Sequence, residues 1–335
     1  MTPGARVAAA IEILDQIDDG MPAEQALTRW ARASRFAGSG DRAAVRDHVF
    51  DVLRHWRSDA ARGGGQTGRA RMIGRCRAMG VDPTELFDGQ GHAPASLSDA
   101  ERSADRDPAP GGGEACDLPD WLVPVFEASL GVAWQDTAQA LQGRAPVTLR
   151  VNLARGDAAA ARAALAADGV ETRENARAAT ALTVTKGARK VRQSAALRDG
   201  LIELQDAASQ AAVMAIAGSG RLLDYCAGGG GKALALAARG WEVTAHDADP
   251  ARMRDLPNRA LRGGHQIALC EAPKGSFDAV LCDAPCSGSG TWRRTPEAKW
   301  RLTPEQLAAL CALQLEILAD AQARVAPGGV LYYAT

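Results

Sequence analysis

The sequence predicts an α/β protein in which a doubly wound parallel sheet follows a small α/β module and an all-α unit. From residue 205 onward, short apolar runs alternate with helical patterns, and this alternation is typical of parallel strands joined by helices. The first 60 residues instead place apolar side chains at helical spacing, for example Val7, Ile11 and Leu14. These two patterns indicate separate structural units within one chain.

Length and composition exclude several classes of protein. The chain has 335 residues, 46% of them hydrophobic, and a mean hydropathy of −0.18, which indicates a globular protein of two or three domains. We find neither a membrane-length apolar stretch nor a leader pattern, so we expect neither membrane insertion nor secretion but a cytoplasmic protein. We also expect a monomer. The seven cysteines lack paired metal spacing, which predicts reduced thiols and no metal site.

Residues 1–62 are predicted to form the all-α unit. Pro22 and the turn at 38–40 divide its helical pattern into three or four helices. The overall net charge of −1 argues against a protein that binds polyanions over its whole surface. Residues 29–77, however, hold 12 Arg against 4 Asp, and guanidinium groups suit phosphate. We therefore expect this part of the chain to bind phosphate groups.

Residues 63–116 are rich in Gly, Pro, Ser and charge, and they predict a linker with short helices near 71–79 and 98–102. Residues 117–204 are predicted to form a small α/β or α+β module that begins with a helix near Trp121. Further elements are expected in this module as strands at 147–152, 180–185 and 201–204 and a helix at 157–167.

Residues 205–335 carry the βαβ pattern. The expected strands are 221–225, 242–246, 266–270, 279–283 and 329–334, and the expected helices are 233–239 and 304–325. A parallel sheet brings the carboxyl ends of such strands to one edge, where ligands bind.

A glycine-rich loop follows the first of these strands and reads Asp224-Tyr-Cys-Ala-Gly-Gly-Gly-Gly-Lys232. Glycines let the backbone approach a ligand closely, and the next helix begins with free N–H groups. Asp247 ends the second strand about twenty residues later, where an acid accepts hydrogen bonds from ribose hydroxyls. The ligand could be a dinucleotide or S-adenosylmethionine. The departure from Gly-x-Gly-x-x-Gly favours S-adenosylmethionine.

The fourth strand ends in Asp283-Ala-Pro-Cys-Ser-Gly288, a rigid turn that presents a carboxylate and a thiol together. A thiolate can add to an electron-poor ring carbon such as C6 of a pyrimidine. The motif therefore indicates chemistry on a base. The alternative is a buried acid and a small apolar cysteine in a structural turn.

These motifs together resemble the RsmB/NOP/Sun-type RNA cytosine-5 methyltransferases. The matching stretches are Leu149–Asn152, Leu204–Gln210, Cys226–Lys232, Asp247, Asp283–Gly288 and Arg293–Trp300. The early arginine-rich helices resemble the NusB-like RNA-binding domain of the same family. The resemblance implies that residues 1–62 dock RNA mainly through its phosphates and that the module at 117–204 also binds RNA. The resemblance implies a class I methyltransferase sheet, S-adenosylmethionine as the cofactor, and RNA, in particular ribosomal RNA, as the partner.

The resemblance also implies roles for individual residues. The cofactor would be held by Cys226, Ala227, Gly228, Gly229, Gly230, Gly231, Lys232, Asp247, Glu271 and Asp283. In catalysis, Asp283 would touch the methionine end of the cofactor or the target base, and Cys286 would assist release of the methylated base. The RNA would contact Arg150, Asn152, Arg293 and Arg294.

In the family, the nucleophilic cysteine follows Tyr-Ala-Thr at the end of the fifth strand. This sequence reads Tyr333-Ala-Thr335 and stops, so we expect a C-terminally incomplete sheet and a chain that does not methylate RNA by itself unless Cys286 substitutes. Tyr332 and Tyr333 would then lie at an uncovered apolar margin. One alternative is an inactive RNA-binding protein that retains the cofactor fold. Another is an NAD-dependent oxidoreductase, which the Asp283–Cys286 motif disfavours.

Overall fold

The computed structural model describes residues 1–335 and contains 15 α-helices and nine β-strands. The helices are α1 (Pro3–Asp18), α2 (Ala23–Ala33), α3 (Ser39–Arg54), α4 (Trp56–Gly63), α5 (Gly68–Ala78), α6 (Asp99–Ser103), α7 (Leu122–Leu130), α8 (Trp134–Gln142), α9 (Ala158–Ala167), α10 (Ala195–Arg198), α11 (Ala207–Met214), α12 (Gly231–Ala237), α13 (Leu256–Gly263), α14 (Glu297–Arg301) and α15 (Pro304–Gln322). The strands are β1 (Thr148–Val151), β2 (Glu171–Glu174), β3 (Ala181–Lys186), β4 (Ile202–Leu204), β5 (Arg221–Asp224), β6 (Glu242–Ala245), β7 (Ile267–Leu269), β8 (Phe277–Asp283) and β9 (Val325–Ala334).

These elements form two units. The first unit comprises Met1–Ala145 and Gly288–Pro304, and the second comprises Pro146–Ser287 and Glu305–Thr335. The chain therefore leaves the second unit directly after the Asp-Ala-Pro-Cys-Ser motif and returns to it at the start of α15. The boundaries expected at residues 62, 116 and 204 do not coincide with this division.

The core of the first unit is helical. Helices α1 to α3 contribute buried apolar residues such as Ile13, Leu27 and Leu53, and the four helices over residues 3–63 agree with the expected three or four. Thr2 caps α1 by accepting a hydrogen bond from the Ala5 N–H (3.2 Å), and Pro3 occupies the first helical position.

The expected linker at 63–116 is wrong in its first half, because this stretch contributes to the same core. Met72 and Ile73 of α5 are fully buried in it, together with Phe87. The glycines here serve helix packing. A Cβ at Gly63 would lie 1.8 Å from the Ala70 carbonyl oxygen, so only glycine allows α4 and α5 to pack this closely.

Residues 288–304 are held within the first unit by backbone-directed hydrogen bonds. The Glu297 carboxylate accepts from the Ala23 N–H at the start of α2 (2.9 Å). The Trp300 indole N–H donates to the Leu53 carbonyl (2.7 Å), and Arg54 donates to the Arg293 carbonyl (3.1 and 3.2 Å). This segment is therefore an integral part of the helical unit, although it lies far from α1 to α3 in sequence.

The second unit contains two sheets. The smaller sheet is antiparallel with the order β2-β3-β1-β4, and α9 packs on it through Ala161 and Leu165 against Leu149 and Val151. Strand β2 was not predicted because it is almost fully exposed and its four residues, Glu-Thr-Arg-Glu, give no apolar alternation.

The larger sheet is entirely parallel and has the order β7-β6-β5-β8-β9, which confirms the predicted doubly wound class I architecture. The chain runs outward from β5 to β7 and then crosses back to β8, so the strand order reverses between β5 and β8. Ligands of open α/β sheets bind outside the carboxyl ends of the strands at such a reversal. Among the helices of both units, none is both long and apolar enough to span a membrane.

Candidate active site at the carboxyl ends of the parallel strands

The glycine-rich loop lies at the strand reversal, between the end of β5 and the start of α12. Gly228 and Gly230 have φ angles of +52° and +76°, a region that side chains disfavour. A Cβ at Gly230 would also lie 2.3 Å from the Leu256 side chain at the start of α13. The loop therefore requires glycine for its backbone angles and for its close approach to α13.

Hydrogen bonds inside the loop leave several donors free. The Gly228 N–H donates to Asp247 Oδ2 and the Gly230 N–H to the Ala227 carbonyl, each at 2.8 Å. The N–H groups of Gly229, Gly231 and Lys232 donate to no protein acceptor. Backbone N–H groups are strong donors, so this loop can accept a ligand that carries carboxylate or other acceptor oxygens.

Asp247 follows β6, where the sequence placed it, and it is almost fully buried. Its carboxylate forms an ion pair with Arg252 (3.1 Å) and accepts from the Asp249 N–H (3.0 Å). The Arg252 side chain is 55% exposed, whereas that of Asp247 is 3% exposed. Backbone N–H groups thus fix the Asp247 carboxylate, while the exposed Arg252 side chain has room to move. A ligand could therefore also bind to the carboxylate.

Asp224, the last residue of β5, is a candidate site residue that the sequence motifs did not predict. It is 1% exposed, and neither carboxylate oxygen makes a hydrogen bond of normal geometry, although the Ala233 N–H faces it. Burial, and then the nearby Asp283 carboxylate, raise its pKa to about 7. The sequence signal was the acid two residues before Cys226. An unsatisfied buried acid beside a ligand loop is typical of a functional site.

The structure brings Lys232 and Asp283 together as an ion pair with a short contact. Lys232 comes from the first turn of α12 and Asp283 from the end of β8, so the pair connects the two sides of the strand reversal. The Asp283 side chain is 35% exposed and therefore remains accessible to a ligand.

The turn after β8 exposes Cys286. The Gln314 side-chain amide of α15 donates to the Pro285 carbonyl (2.8 Å), and the Ala284 N–H donates to the Ala334 carbonyl (2.9 Å). The backbone on the N-terminal side of Cys286 is thus fixed from two elements, while its thiol faces solvent.

Cys226 is half-buried and differs from Cys286 in its chemistry. A hydrogen bond with the buried Cys282 thiol, together with burial, raises the Cys226 pKa. Since the thiolate is the nucleophilic form, Cys226 is suited to shaping the loop and not to attacking a substrate.

Glu271 follows β7 on an exposed turn. It lines an open groove of about 330 Å³ together with Met253, Pro257 and Cys270. The groove lies beyond the ends of β6 and β7 and combines apolar side chains with the Glu271 carboxylate and the Arg254 side chain, so it could accept a flat, polar-edged ring. No group of three or more His, Cys, Asp or Glu side chains is arranged to hold a metal ion.

Two of the residues expected to contact RNA are buried instead. Arg150 is 4% exposed, and the Asn152 amide donates to the Gly200 and Gly263 carbonyls, each at 2.9 Å. Their motif therefore serves the interior of the second unit. Arg293 is half-buried and donates to the Gly143 and Arg144 carbonyls (2.9 Å each), and only Arg294 is exposed.

The residues fit an S-adenosyl cofactor. Free loop N–H groups complement a carboxylate, the buried Asp224 and half-buried Asp283 complement an ammonium group, and Asp247 can accept from a ribose diol. The groove at Glu271 has room for a base.

Comparisons with known proteins identify families and folds to which this chain is similar. A family model described as 16S rRNA methyltransferase RsmB/F matches residues 211–335, and a ferredoxin-like domain model of RsmF/B-like methyltransferases matches 118–191. Two solved structures share the fold. One is PH0851, at TM-score 0.73 and 24% identity over 99% of this chain and 86% of that one. The other is NSun6 from Pyrococcus horikoshii with SFG, at TM-score 0.55 and 14% identity over 64% of this chain and 82% of that one.

Curated relatives carry the family assignment. Ribosomal RNA small subunit methyltransferase B from Vibrio cholerae is 34% identical over 65% of this chain and 53% of that protein. The same-named protein from Xanthomonas campestris is 34% identical over 70% of this chain and 57% of that protein, so the chain spans little more than half the length of these two relatives. The Xylella fastidiosa protein is 30% identical over 93% of this chain and 72% of that protein. The chain therefore belongs to the ribosomal RNA small subunit methyltransferase B family.

Proposed function

We propose that this chain provides the RNA-docking and cofactor-binding parts of an S-adenosylmethionine-dependent RNA cytosine-5 methyltransferase that acts on small-subunit ribosomal RNA. One observation carries the proposal. In a chain of this family, three features meet at the strand reversal. They are a glycine loop with free N–H groups, the Asp247 carboxylate in a position suited to a ribose, and the Asp-Ala-Pro-Cys turn with its exposed thiol.

S-adenosylmethionine, when bound, supplies an electrophilic methyl group on a sulfonium centre. The chain's own residues would hold it: the loop from Cys226 to Lys232 at the methionine end, Asp247 at the ribose and the groove beside Glu271 at the adenine. Support comes from the donors and acceptors that these groups leave available.

The target base has to be made nucleophilic at C5. Addition of a thiolate to C6 of cytosine does this. C5 would then take the methyl group, leaving S-adenosylhomocysteine, and a base would remove the C5 proton as the thiolate leaves. The cytosine must first be unstacked from its neighbours to enter such a site. Asp283, paired with Lys232 at the mouth of the site, is suited to hold the base through its exocyclic amine.

Two thiol positions bear on this chemistry. Cys286 is exposed beside Asp283, and we propose that it assists release of the methylated base. Ala334 is paired in register with Asp283, so in a longer polypeptide the residue after Thr335 would lie close to the turn that carries Cys286. The family resemblance favours that position for the attacking cysteine.

The RNA surface is proposed to lie at α2 and the start of α3. Eight of the 12 arginines in residues 29–77 form ion pairs within the first unit. The remaining four are exposed and without a carboxylate partner, and they are Arg29, Arg32, Arg35 and Arg42. The exposed Phe36 ring (77%) lies among them in sequence and offers a stacking face for a base.

A methyl-transfer assay on unmodified small-subunit ribosomal RNA tests the proposal. The 335-residue chain is compared with a longer polypeptide that extends past Thr335. Each is tested with and without the Cys286→Ala substitution. We expect methyl incorporation at cytosine C5 in the extended product. Activity of the short chain that disappears in Cys286→Ala would make Cys286 the nucleophile. RNA binding without any methyl transfer in either product would instead favour an inactive RNA-binding protein.

A further inference from the structure

Helix α13 supports the cofactor loop from behind, and one of its side chains reaches the loop backbone. Leu256 packs under Gly230, and Arg259, one turn later, donates from Nη1 to the Gly229 carbonyl in a short contact. The remaining guanidinium nitrogens of Arg259 donate to Glu203 Oε2, from Nη2 at 2.9 Å and from Nε at 3.3 Å. One planar group thus connects the loop to a carboxylate.

The carboxylate belongs to the other sheet of the second unit. Glu203 is the middle residue of β4, its side chain is 10% exposed, and its other oxygen accepts from Arg262 in a short contact. A buried carboxylate that is hydrogen-bonded on both oxygens is held in a single position. The Glu203–Arg259 pair therefore fixes the Gly229 carbonyl relative to the antiparallel sheet.

The orientation of that carbonyl matters for the cofactor. Peptide groups are planar, so fixing the Gly229 carbonyl toward Arg259 also fixes the Gly230 N–H on the opposite side, where it donates to the Ala227 carbonyl. The donors left over, on Gly229 and Gly231, then point in a set direction before any ligand arrives. The four consecutive glycines have no side chains of their own to fix the loop, and glycine has the highest backbone freedom of all residues. The order of the loop therefore has to come from residues outside it.

We propose that Arg259 and Glu203 are positioning residues that preorganise the cofactor loop for S-adenosylmethionine. The inference rests on the proposed function for the identity of the ligand. It goes beyond that function by assigning loop order to two residues outside every motif of the family resemblance, one of them in the antiparallel sheet.

The chain offers a matched control. Arg262 pairs with the same Glu203 carboxylate from the same helix but does not contact the loop. Arg259→Ala and Arg262→Ala therefore each remove one arginine from Glu203, and only the first releases the Gly229 carbonyl. Arg259→Lys tests geometry as well, because a single ammonium group cannot bridge two acceptors as a guanidinium does.

Two measurements test the proposal on the full 335-residue chain. Titration calorimetry with S-adenosylhomocysteine should show about tenfold weaker binding for Arg259→Ala, as expected for one charged hydrogen bond, and nearly wild-type binding for Arg262→Ala. Hydrogen exchange of the ligand-free protein should show faster exchange of the 226–231 amides in Arg259→Ala and Arg259→Lys than in Arg262→Ala.

Equal loss of affinity and of amide protection in the two alanine variants would overturn the proposal. It would mean that losing either arginine partner of Glu203 has the same effect, whether or not that arginine contacts the loop. Wild-type affinity and protection in Arg259→Ala would overturn it as well. If the wild-type chain does not bind S-adenosylhomocysteine at all, the proposed function fails, and the exchange data still decide whether Arg259 orders the loop.

Discussion

Asp247 has two roles in this site, because it holds the Gly228 N–H and can also accept from a ribose. We expect Asp247→Ala to weaken S-adenosylmethionine binding by roughly 1–3 kcal/mol, since buried donors on the ligand and the loop lose their acceptor. Calorimetry of the variant measures this loss. Asp255→Ala, an exposed acid eight residues later, is the control and should bind as the wild type does. Unchanged affinity in Asp247→Ala would remove this residue from the site.

Asp224 makes stability depend on pH. Its folded-state pKa of about 7 lies above the ordinary 3.8, so between these values the native state keeps a proton that the unfolded state has lost. The free energy of unfolding should therefore fall as pH rises from 4 to 7, by up to about 1.4 kcal/mol per pH unit. Above pH 7 this contribution levels off.

Hydrogen exchange of β5 peptides at pH-corrected rates reports this effect for the second unit alone. Asp224→Asn should abolish most of the decline, because an amide cannot ionise. Asp255→Asn should keep the wild-type pH dependence. If stability depends on pH in the same way in the wild type and in Asp224→Asn, Asp224 is not the group that titrates.

At the level of single residues, the sequence located the loop, Asp247, Asp283 and Cys286 because each closes a strand or a turn. Arg150 and Asn152 were assigned to RNA because their motif matches the family resemblance. Strand β1, which carries Arg150, is instead covered on both faces, and Asn152, directly after it, donates to two backbone carbonyls. Burial on the second face depends on how distant segments pack, and no local pattern carries that information.

Among the secondary-structure elements, α14 and the residues before it are attached by hydrogen bonds to residues far away in sequence. The Trp300 indole N–H donates to the Leu53 carbonyl at 2.7 Å, across 247 residues of sequence. Trp300→Phe keeps most of the ring and removes this donor, so we expect the first unit to lose about 1 kcal/mol of unfolding free energy. Trp30→Phe is the control, since Trp30 is half-buried in the same unit and its indole makes no hydrogen bond.

Urea unfolding followed by hydrogen exchange of α3 peptides separates the two variants. A Trp300→Phe protein as stable as Trp30→Phe would show that the indole hydrogen bond contributes nothing measurable to the docking of this segment.

Helix α5 and strand β2 mark the limits of predicting elements from local patterns. The sequence predicts a helix near 71–79 but places it in a linker, because α5 carries four arginines in eleven residues and follows three glycines. Its apolar residues are nevertheless buried, because Gly63 and Gly74 allow a close approach of α4 that only the folded structure reveals. The alternating strands and helices of the parallel sheet were recoverable, because each strand is an apolar run closed by an acid or a turn.

For the whole molecule, RNA affinity should depend on four arginines and not on total charge. Replacing Arg29, Arg32, Arg35 and Arg42 with Gln should weaken binding to small-subunit ribosomal RNA. It should also reduce the slope of log K against log salt by roughly 0.7 to 0.9 for each phosphate that the variant no longer neutralises. Filter binding across a salt series measures both quantities.

Arg62→Gln with Arg106→Gln is the matched control, because these side chains are ion-paired with Asp107 and Glu114. The control protein should retain the wild-type slope. Equal slopes in the control and the fourfold variant would show that RNA is docked elsewhere.

The interleaving of the two units has a consequence for biosynthesis. The first unit needs residues 288–304 to complete its packing, and these emerge from the ribosome only after β5 to β8 have been made. N-terminal segments ordinarily fold first during synthesis. Here the Leu53 carbonyl and the Ala23 N–H of the amino-terminal helices lack their hydrogen-bond partners until most of the parallel sheet has been translated. Nascent chains stalled before residue 288 should therefore be more sensitive to protease in α1 to α3 than chains stalled after full exposure of residue 304.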